Sequence, residues 1–254
     1  MCIRDRDEVI EREKEVLGEL DTLLNSYIWR IFTAEILSNS KKHLIKCKSL
    51  FQTQWTEREF PQNWRCLKIS EVLVDSQNGF AEGKRDNEGL PQLRMNNVTR
   101  DGRINLEKIS MIPYRQNIEK YLIQNGDVLF CNTNSEDLVG KSIIANKNLH
   151  DFSFSNHFTR LRVDKNLITG KFLYLWLKFH FDIGLFERLC TRWIGQAAVQ
   201  SDTLKRLQIV LPSVDEQVYA GKYCQGLEDQ MDVVNNKISS SQALQKSLIN
   251  QIFS

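Results

Sequence analysis

Asp75 and the triplet Glu82-Gly83-Lys84 are the residues whose types and spacing come nearest to a catalytic set. Carboxylates can hold a divalent ion while a lysine steadies the attacking water, which is the chemistry of a metal-dependent nuclease. Here the triplet falls between Gly79 and Gly89, in a polar stretch read as a loop, so the rigid strand such a site needs is missing. His43, His150, His157 and His180 have no evident Ser or Cys partner for nucleophilic catalysis. Cys2, Cys47, Cys66, Cys131, Cys190 and Cys224 lie far apart, without a CxxC pair or a histidine at ligand spacing. They read as isolated reduced thiols, not as a zinc site or a disulfide framework. No Gly-rich phosphate loop, no GxGxxG after a strand and no Asn-Pro-Pro-aromatic motif occurs.

A second chemistry is better supplied. Lys84 and Arg85, Arg94 with Asn96 and Asn97, Arg100, Asn132 and Asn134 with Lys141, His157, and Arg192 with Gln196 and Gln200 all fall at or beside predicted turns. Long basic side chains reach phosphates, and Arg, Asn, Gln and Lys read base edges in the major groove. Taken singly, each of these residues reads first as a solvated surface side chain. Asn156 and Arg160, in or beside a predicted strand, serve equally to satisfy buried backbone groups, and Trp193 is read as core.

The elements that would position these residues begin and end with a helix. In Leu17 to Phe32 apolar residues fall at Leu17, Leu20, Leu24, Tyr27 and Ile31, one seam of a helix widened by Leu23, Ile28 and Phe32. Shifted by 221 positions, Leu23, Ser26, Ile28, Ile31 and Phe32 meet Leu244, Ser247, Ile249, Ile252 and Phe253, an internal repeat around a long insert. The first helix is expected from about Asp7 to Ile36, ended by Ser38, Asn39 and Ser40, with Met1 to Arg6 set aside as a scar foreign to the fold.

Residues 37–59 read as a polar, Lys-rich connector with a second short helix around His43 to Phe51. A new unit, 60–212, opens at Phe60-Pro61-Gln62-Asn63-Trp64, where a proline fixes a turn and an aromatic anchors it. Leu67 to Val74 is a short helix or strand, and Asp75 to Glu88 a loop. Short β signals follow at Leu90–Val98, Ile104–Leu106, Lys120–Ile123, Asp127–Cys131, Gly140–Ala145 and Phe158–Val163, with tight turns at Asp101-Gly102 and Asn125-Gly126. Thr169 caps a helix whose wide apolar face, Phe172 to Ile183, argues burial against the sheet. A polar segment from Arg192 to Asp202 precedes a last strand, Leu207 to Leu211, stopped by Pro212. The final helix, within 213–254, starts near Asp215 and admits a break at Gly221 or Gly226. The fold class is α+β: a mixed or antiparallel-sheet head with packed helices, flanked by two long helices forming an antiparallel, coiled-coil-like stalk.

A chain of 254 residues with 41% hydrophobic content can build a packed core. Its longest apolar run, Phe172 to Leu177, is far short of the roughly 20 residues a bilayer requires, and no signal segment opens the chain, so no membrane partner and a cytoplasmic location are expected. The net charge of +2 divides unevenly: residues 60–212 hold 21 Lys/Arg against 16 Asp/Glu, the two ends together 13 against 16. The basic middle fits a polyanion, though many domains reach this excess without one.

Read together, these stretches resemble the specificity subunit of type I restriction-modification systems, a target recognition domain between conserved spacer helices. Phe60 to Trp64 resembles that domain's opening, Gly89-Leu90-Pro91-Gln92-Leu93-Arg94-Met95-Asn96-Asn97-Val98 its first core strand, and Asn125-Gly126-Asp127-Val128-Leu129-Phe130 its turn and strand. Val139-Gly140, Ser155-Asn156-His157-Phe158-Thr159-Arg160-Leu161-Arg162 and Leu211-Pro212-Ser213-Val214-Asp215-Glu216-Gln217 follow in the family's order. The repeated helix resembles the spacer. The resemblance implies a non-catalytic subunit whose head reads one half of a split site in double-stranded DNA and whose helices dock modification (methyltransferase) subunits. It implies no cofactor in this chain, with S-adenosylmethionine, ATP and magnesium on partner subunits. Restriction (motor) subunits, and a self-dimer or second half-subunit, are further partners it admits, because family members usually carry two recognition domains and this chain shows one. The alternatives are a coiled-coil adaptor that binds protein, and the nuclease above.

Overall fold

The computed structural model describes residues 3–33, 35, 41–48 and 52–253. By contacts the chain divides into two compact units, Met1–Ile36 with Tyr219–Ser254, and Leu37–Val218.

The first unit is a helix pair. Helix α1 spans Ile3–Phe32 and α5 spans Val214–Phe253. Tyr27 packs on Tyr223 with ring centroids 4.2 Å apart, Glu13 faces Lys237 at 3.8 Å and Asp7 accepts a hydrogen bond from Gln245 at 2.5 Å, so the helices run antiparallel. Ile10, Leu24, Ile28, Ile31 and Phe32 are buried in α1, and Ala220, Cys224, Leu227, Met231 and Val234 in α5. Leu23 departs from the expected seam: it is exposed, as are Leu244 and Ile249 of the repeat. α1 starts at Ile3, before the expected Asp7, and ends at Phe32; Ser38 to Ser40, expected to stop it, lie outside the described residues. α5 runs unbroken through Gly221 and Gly226, because a cost of about 1 kcal/mol per glycine is small against packing along a long helix.

The second unit opens with a hairpin where a helix was expected. β1 (Lys42–Lys48) pairs antiparallel with β2 (Trp55–Pro61), Cys47 opposite Thr56 and His43 opposite Phe60. Phe60 and Trp64 stack at 5.7 Å, both buried, and anchor the turn at Pro61. The ambiguous stretch after it is both elements in turn: β3 (Arg65–Lys68), a 3₁₀ turn (Ile69–Val72), then β4 (Leu73–Asn78), which takes the first four residues of the expected loop. β5 (Leu90–Leu93) is followed by β6 (Ser110–Ile112), which the sequence did not announce, while Ile104 forms only an isolated bridge to Val98. Lys120–Ile123 is not a strand; a 3₁₀ turn, Ile118–Tyr121, covers its first two residues.

β7 (Val128–Cys131), β8 (Thr133–Asn134), β9 (Ser142–Ile144), β10 (Ser153–Phe154) and β11 (Phe158–Val163) continue the chain. The central sheet has the order β4-β11-β7-β9, antiparallel throughout, and β5 pairs with β6 antiparallel and with β10 parallel. The turn before β7 closes as its residues predict, with Gly126 at φ 89° and the buried Asp127 carboxylate accepting Gln124 N–H at 2.8 Å. α2 (Gly170–Asp182), capped by the Thr169 hydroxyl at 3.1 Å, and α3 (Leu185–Leu189) cover the sheet. At Gly140, φ 92°, a Cβ would lie 2.4 Å from the Phe186 ring, so only glycine lets β9 begin under α3. The expected polar segment after Arg192 is a hairpin, β12 (Thr191–Trp193) and β13 (Gln196–Ala198), followed by α4 (Ser201–Arg206). β13 pairs with β8, and β14 (Gln208–Leu211) with β3.

Candidate nucleic-acid interface

Antiparallel pairing brings the end of β4, the end of β7 and the start of β11 to one edge of the central sheet. Thr159 lies opposite both Asn78 and Phe130, and Phe158 opposite Cys131. Just beyond these strands, Asn132 N–H donates to His157 O at 2.9 Å and Gly79 N–H to Phe158 O at 3.0 Å. Val199 N–H donates to Asn132 O at 2.9 Å, which draws the β12–β13 hairpin to the same edge. Gly79 is required here, since a Cβ would come within 2.2 Å of Ser155 O and push away the turn that carries Asn156.

Two clefts open on this edge and share Asn156. The larger, about 540 Å³, is lined by Asn78, Asn132, Asn156, Gln196 and Gln200, with Trp193 and Thr159 beside them; among the described residues no charged side chain lines it. Thr133 donates to Asn132 Oδ1 at 2.8 Å, Asn132 Nδ2 to Thr159 Oγ1 at 3.0 Å, and Thr159 to Asn78 Oδ1 at 2.7 Å. This chain of bonds fixes which end of each amide faces the cleft. Asn156, Gln196 and Gln200 are exposed and stand outside it. The smaller cleft, about 350 Å³, is lined by Glu82, Arg94, Asn96, Asn156 and His157 among others. An amide presents donor and acceptor side by side, the arrangement that matches adenine N6 and N7, so such a surface can discriminate base edges.

The residues expected to bind DNA divide sharply. Asn96, Asn132, His157, Gln196 and Gln200 are gathered on the clefts. Lys84 and Arg85 sit exposed in the neighbouring loop, where the Arg85 guanidinium caps the carbonyls of Glu82, Gly83 and Lys84 at 3.0–3.3 Å. Arg94 lines the smaller cleft, yet its guanidinium holds the loop in place through Glu82 O at 2.9 Å and Gln92 Oε1 at 3.2 Å. Arg100 is exposed and paired to Asp137.

Four of the expected residues are held by nearby groups within the unit. Asn97, 2% exposed, accepts Arg94 N–H at 3.0 Å and donates to Asn105 O and Lys108 O at 3.0 and 3.1 Å, so it pins its own loop. Lys141, 4% exposed, donates to Met95 O at 2.9 Å and Val98 O at 2.5 Å, and burial pushes its ammonium below the usual lysine range. Asn134 accepts Ser135 N–H at 2.9 Å and donates to the Cys131 sulfur at 3.4 Å. Arg192 is tied to Glu136 at 2.6 Å and to Glu187 O at 2.9 Å, and the Glu136 carboxylate holds the guanidinium above its ordinary value. Arg160 is structural, buried against Leu122 O and the carboxylate of Asp75. Trp193, expected in the core, is exposed on the hairpin. Asn78 and Thr159 were missed: Asn78 was read as loop, and only its place before a strand-ending glycine marked it.

The pieces that imitate a nuclease are separated in use. Asp75 neutralises Arg160, and Glu82 Oε1 accepts Lys84 N–H at 2.8 Å. Among the described residues no group of three or more His, Cys, Asp or Glu could hold a metal ion, and no helix is long and apolar enough to cross a membrane.

Comparison with known proteins agrees with this geometry. The family model described as type I restriction modification DNA specificity domain matches residues 61–240. The chain is 30% identical over 200 residues to the type I restriction enzyme StySPI specificity subunit of Salmonella potsdam, covering 75% of this chain and 42% of that protein. It is 25% identical over 198 residues to the MjaX specificity subunit of Methanocaldococcus jannaschii, covering 77% and 46%. A chain of a solved type I R-M system shares the fold with a TM-score of 0.62 at 16% identity, over 97% of this chain and 53% of that one. The chain thus spans a little under half the length of the curated relatives it matches.

Proposed function

This chain belongs to the type I restriction modification DNA specificity family, and from that premise we propose that its Leu37–Val218 unit reads one half of a bipartite DNA target. The observation that carries the reading is the gathering of Asn78, Asn132, Asn156, Gln196 and Gln200 on one sheet edge, with the hydrogen-bond chain through Thr159 orienting two of them. Orientation matters because a reader whose amide could flip would accept the complementary pattern as well. The exposed Lys84 supplies phosphate attraction at the rim without information.

In the same reading the antiparallel helices dock modification subunits. Their exposed apolar residues, Leu23, Trp29, Val233, Leu244 and Ile249, are the side chains a partner would cover. The chain itself is non-catalytic in this assignment. S-adenosylmethionine, ATP and magnesium belong to partner subunits, restriction subunits join the larger assembly, and a second copy or a second recognition domain supplies the other half-site. The location that fits this work is the cytoplasm.

The test is selection from random duplexes by the chain reconstituted with the modification subunits of its own operon, at two salt concentrations. A short recovered motif is expected, with affinity but not motif depending on salt. A well-formed complex that recovers no motif refutes the assignment.

A further inference from the structure

The hairpin formed by β12 and β13 ends on two large apolar side chains that stand exposed among the described residues: Ile194 is 105% exposed and Trp193 55%. Tight turns favour Gly, Asn, Asp and Ser at their central positions, and here only Gly195, at φ 77°, follows that rule. Ile194 occupies the other position and gains nothing from the fold by being there.

The mount behind it is firm. Ala197 pairs with Asn134 and Ala198 with Thr133 on β8, while the buried Ala197 and Val199 root the hairpin in the unit. Arg192, on the opposite strand, is held by Glu136 and Glu187 O. The tip is therefore presented on a braced support, at the rim of the amide cleft that Trp193 and Gln196 line. An aliphatic side chain has no polar atom with which to read a base edge or a phosphate. What a braced aliphatic tip beside such a cleft can do to a duplex is enter between stacked base pairs and open the step.

We propose that Ile194, backed by Trp193, is a wedge that enters one base-pair step of the bound DNA. This rests on the DNA-reading assignment above and extends it. Unstacking is cheapest at pyrimidine–purine steps, so the wedge would impose a preference for TA or CA/TG at a step that no side chain reads directly. In this reading Arg192 braces the hairpin through Glu136 and Glu187 O instead of touching phosphate.

The experiment uses the chain assembled with its modification subunits on duplexes carrying 2-aminopurine at successive positions of the selected site. The wedge is expected to give a fluorescence rise at one step that disappears in Ile194→Ala and persists in Ile194→Leu. Affinity should fall about tenfold in Ile194→Ala, with the motif kept at directly read positions and the flexible-step preference lost. An unchanged fluorescence pattern and affinity in Ile194→Ala, with the motif intact, overturns the wedge and leaves DNA reading standing. Loss of assembly with the modification subunits in Ile194→Ala overturns it too, by making the tip a protein contact. Failure of the unaltered chain to select any motif refutes the underlying assignment instead.

Discussion

Replacing Lys141 with methionine separates a reader from a strut. Its ammonium donates to Met95 O at 2.9 Å and Val98 O at 2.5 Å from a side chain only 4% exposed. Methionine keeps the apolar stem and removes the donor, so Val98 O loses this partner while Met95 O keeps only the Val98 N–H at 3.4 Å. Each orphaned acceptor costs about 1–3 kcal/mol. Relief from burying a charge returns part of this, since burial already depresses the lysine's proton affinity. The net expectation is a loss of about 1–3 kcal/mol of unfolding free energy. Urea unfolding reads it as a lower midpoint at unchanged slope. The salt dependence of DNA binding, measured where the variant is fully folded, should keep its slope, because no phosphate contact is lost. A stability change below about 1 kcal/mol together with a shallower salt slope would show that the ammonium reaches DNA, and the structural account of Lys141 would be wrong.

Asn156 behaves oppositely. It is exposed on both clefts, so Asn156→Ala should leave stability almost unchanged and relax the selected motif at one position by about 1–3 kcal/mol of discrimination; an unaltered motif removes Asn156 from the reading face. A third prediction concerns the thiols of β1 and β3. A hydrogen bond from Cys66 holds Cys47 below the ordinary thiol range and itself lifts Cys66 above it. A depressed folded value means that the folded chain releases this proton first, so the Cys47 contribution to stability is lost as pH falls through its folded value and is fully present above the ordinary thiol range. Thiolate absorbance at 240 nm should therefore show one early titration that Cys66→Ala moves upward, and a titration unchanged by that substitution would break the assignment.

Where local chemistry and tertiary demand agree, the elements are legible in the sequence. Thr169 does cap α2, Pro212 does end β14, and the Asn125-Gly126 turn does precede β7. The hairpin of β1 and β2 was hidden by its lysines. From His43 to Cys47 the half-buried or buried positions are His43, Ile45 and Cys47, a period of two that a polar average conceals. Lys120 to Ile123 erred the other way: four residues, of which Tyr121 and Ile123 favour strands, are too few to choose between a strand and a 3₁₀ turn. The buried polar residues were illegible for a deeper reason. Nothing in the type of Asn97 or Lys141 records that Asn105 O, Lys108 O, Met95 O and Val98 O would be left inside the fold needing donors.

That distinction also explains the form of the site. Polar residues beside turns are recruited first by any buried backbone group within reach, because an orphaned carbonyl costs more than a surface hydrogen bond returns. Asn97, Asn134 and Lys141 were taken in this way, while Arg94, Arg160 and Arg192 became braces. The side chains left to face a ligand are those at strand ends where the backbone is already paired: Asn78 at the end of β4, Asn132 after β7 and Asn156 before β11. A target change by substitution should therefore be tolerated at these strand-end amides and at Gln196 and Gln200, and should be penalised by unfolding at the braces. Under the proposed assignment the reading residues can vary while the paired edge that presents them stays fixed.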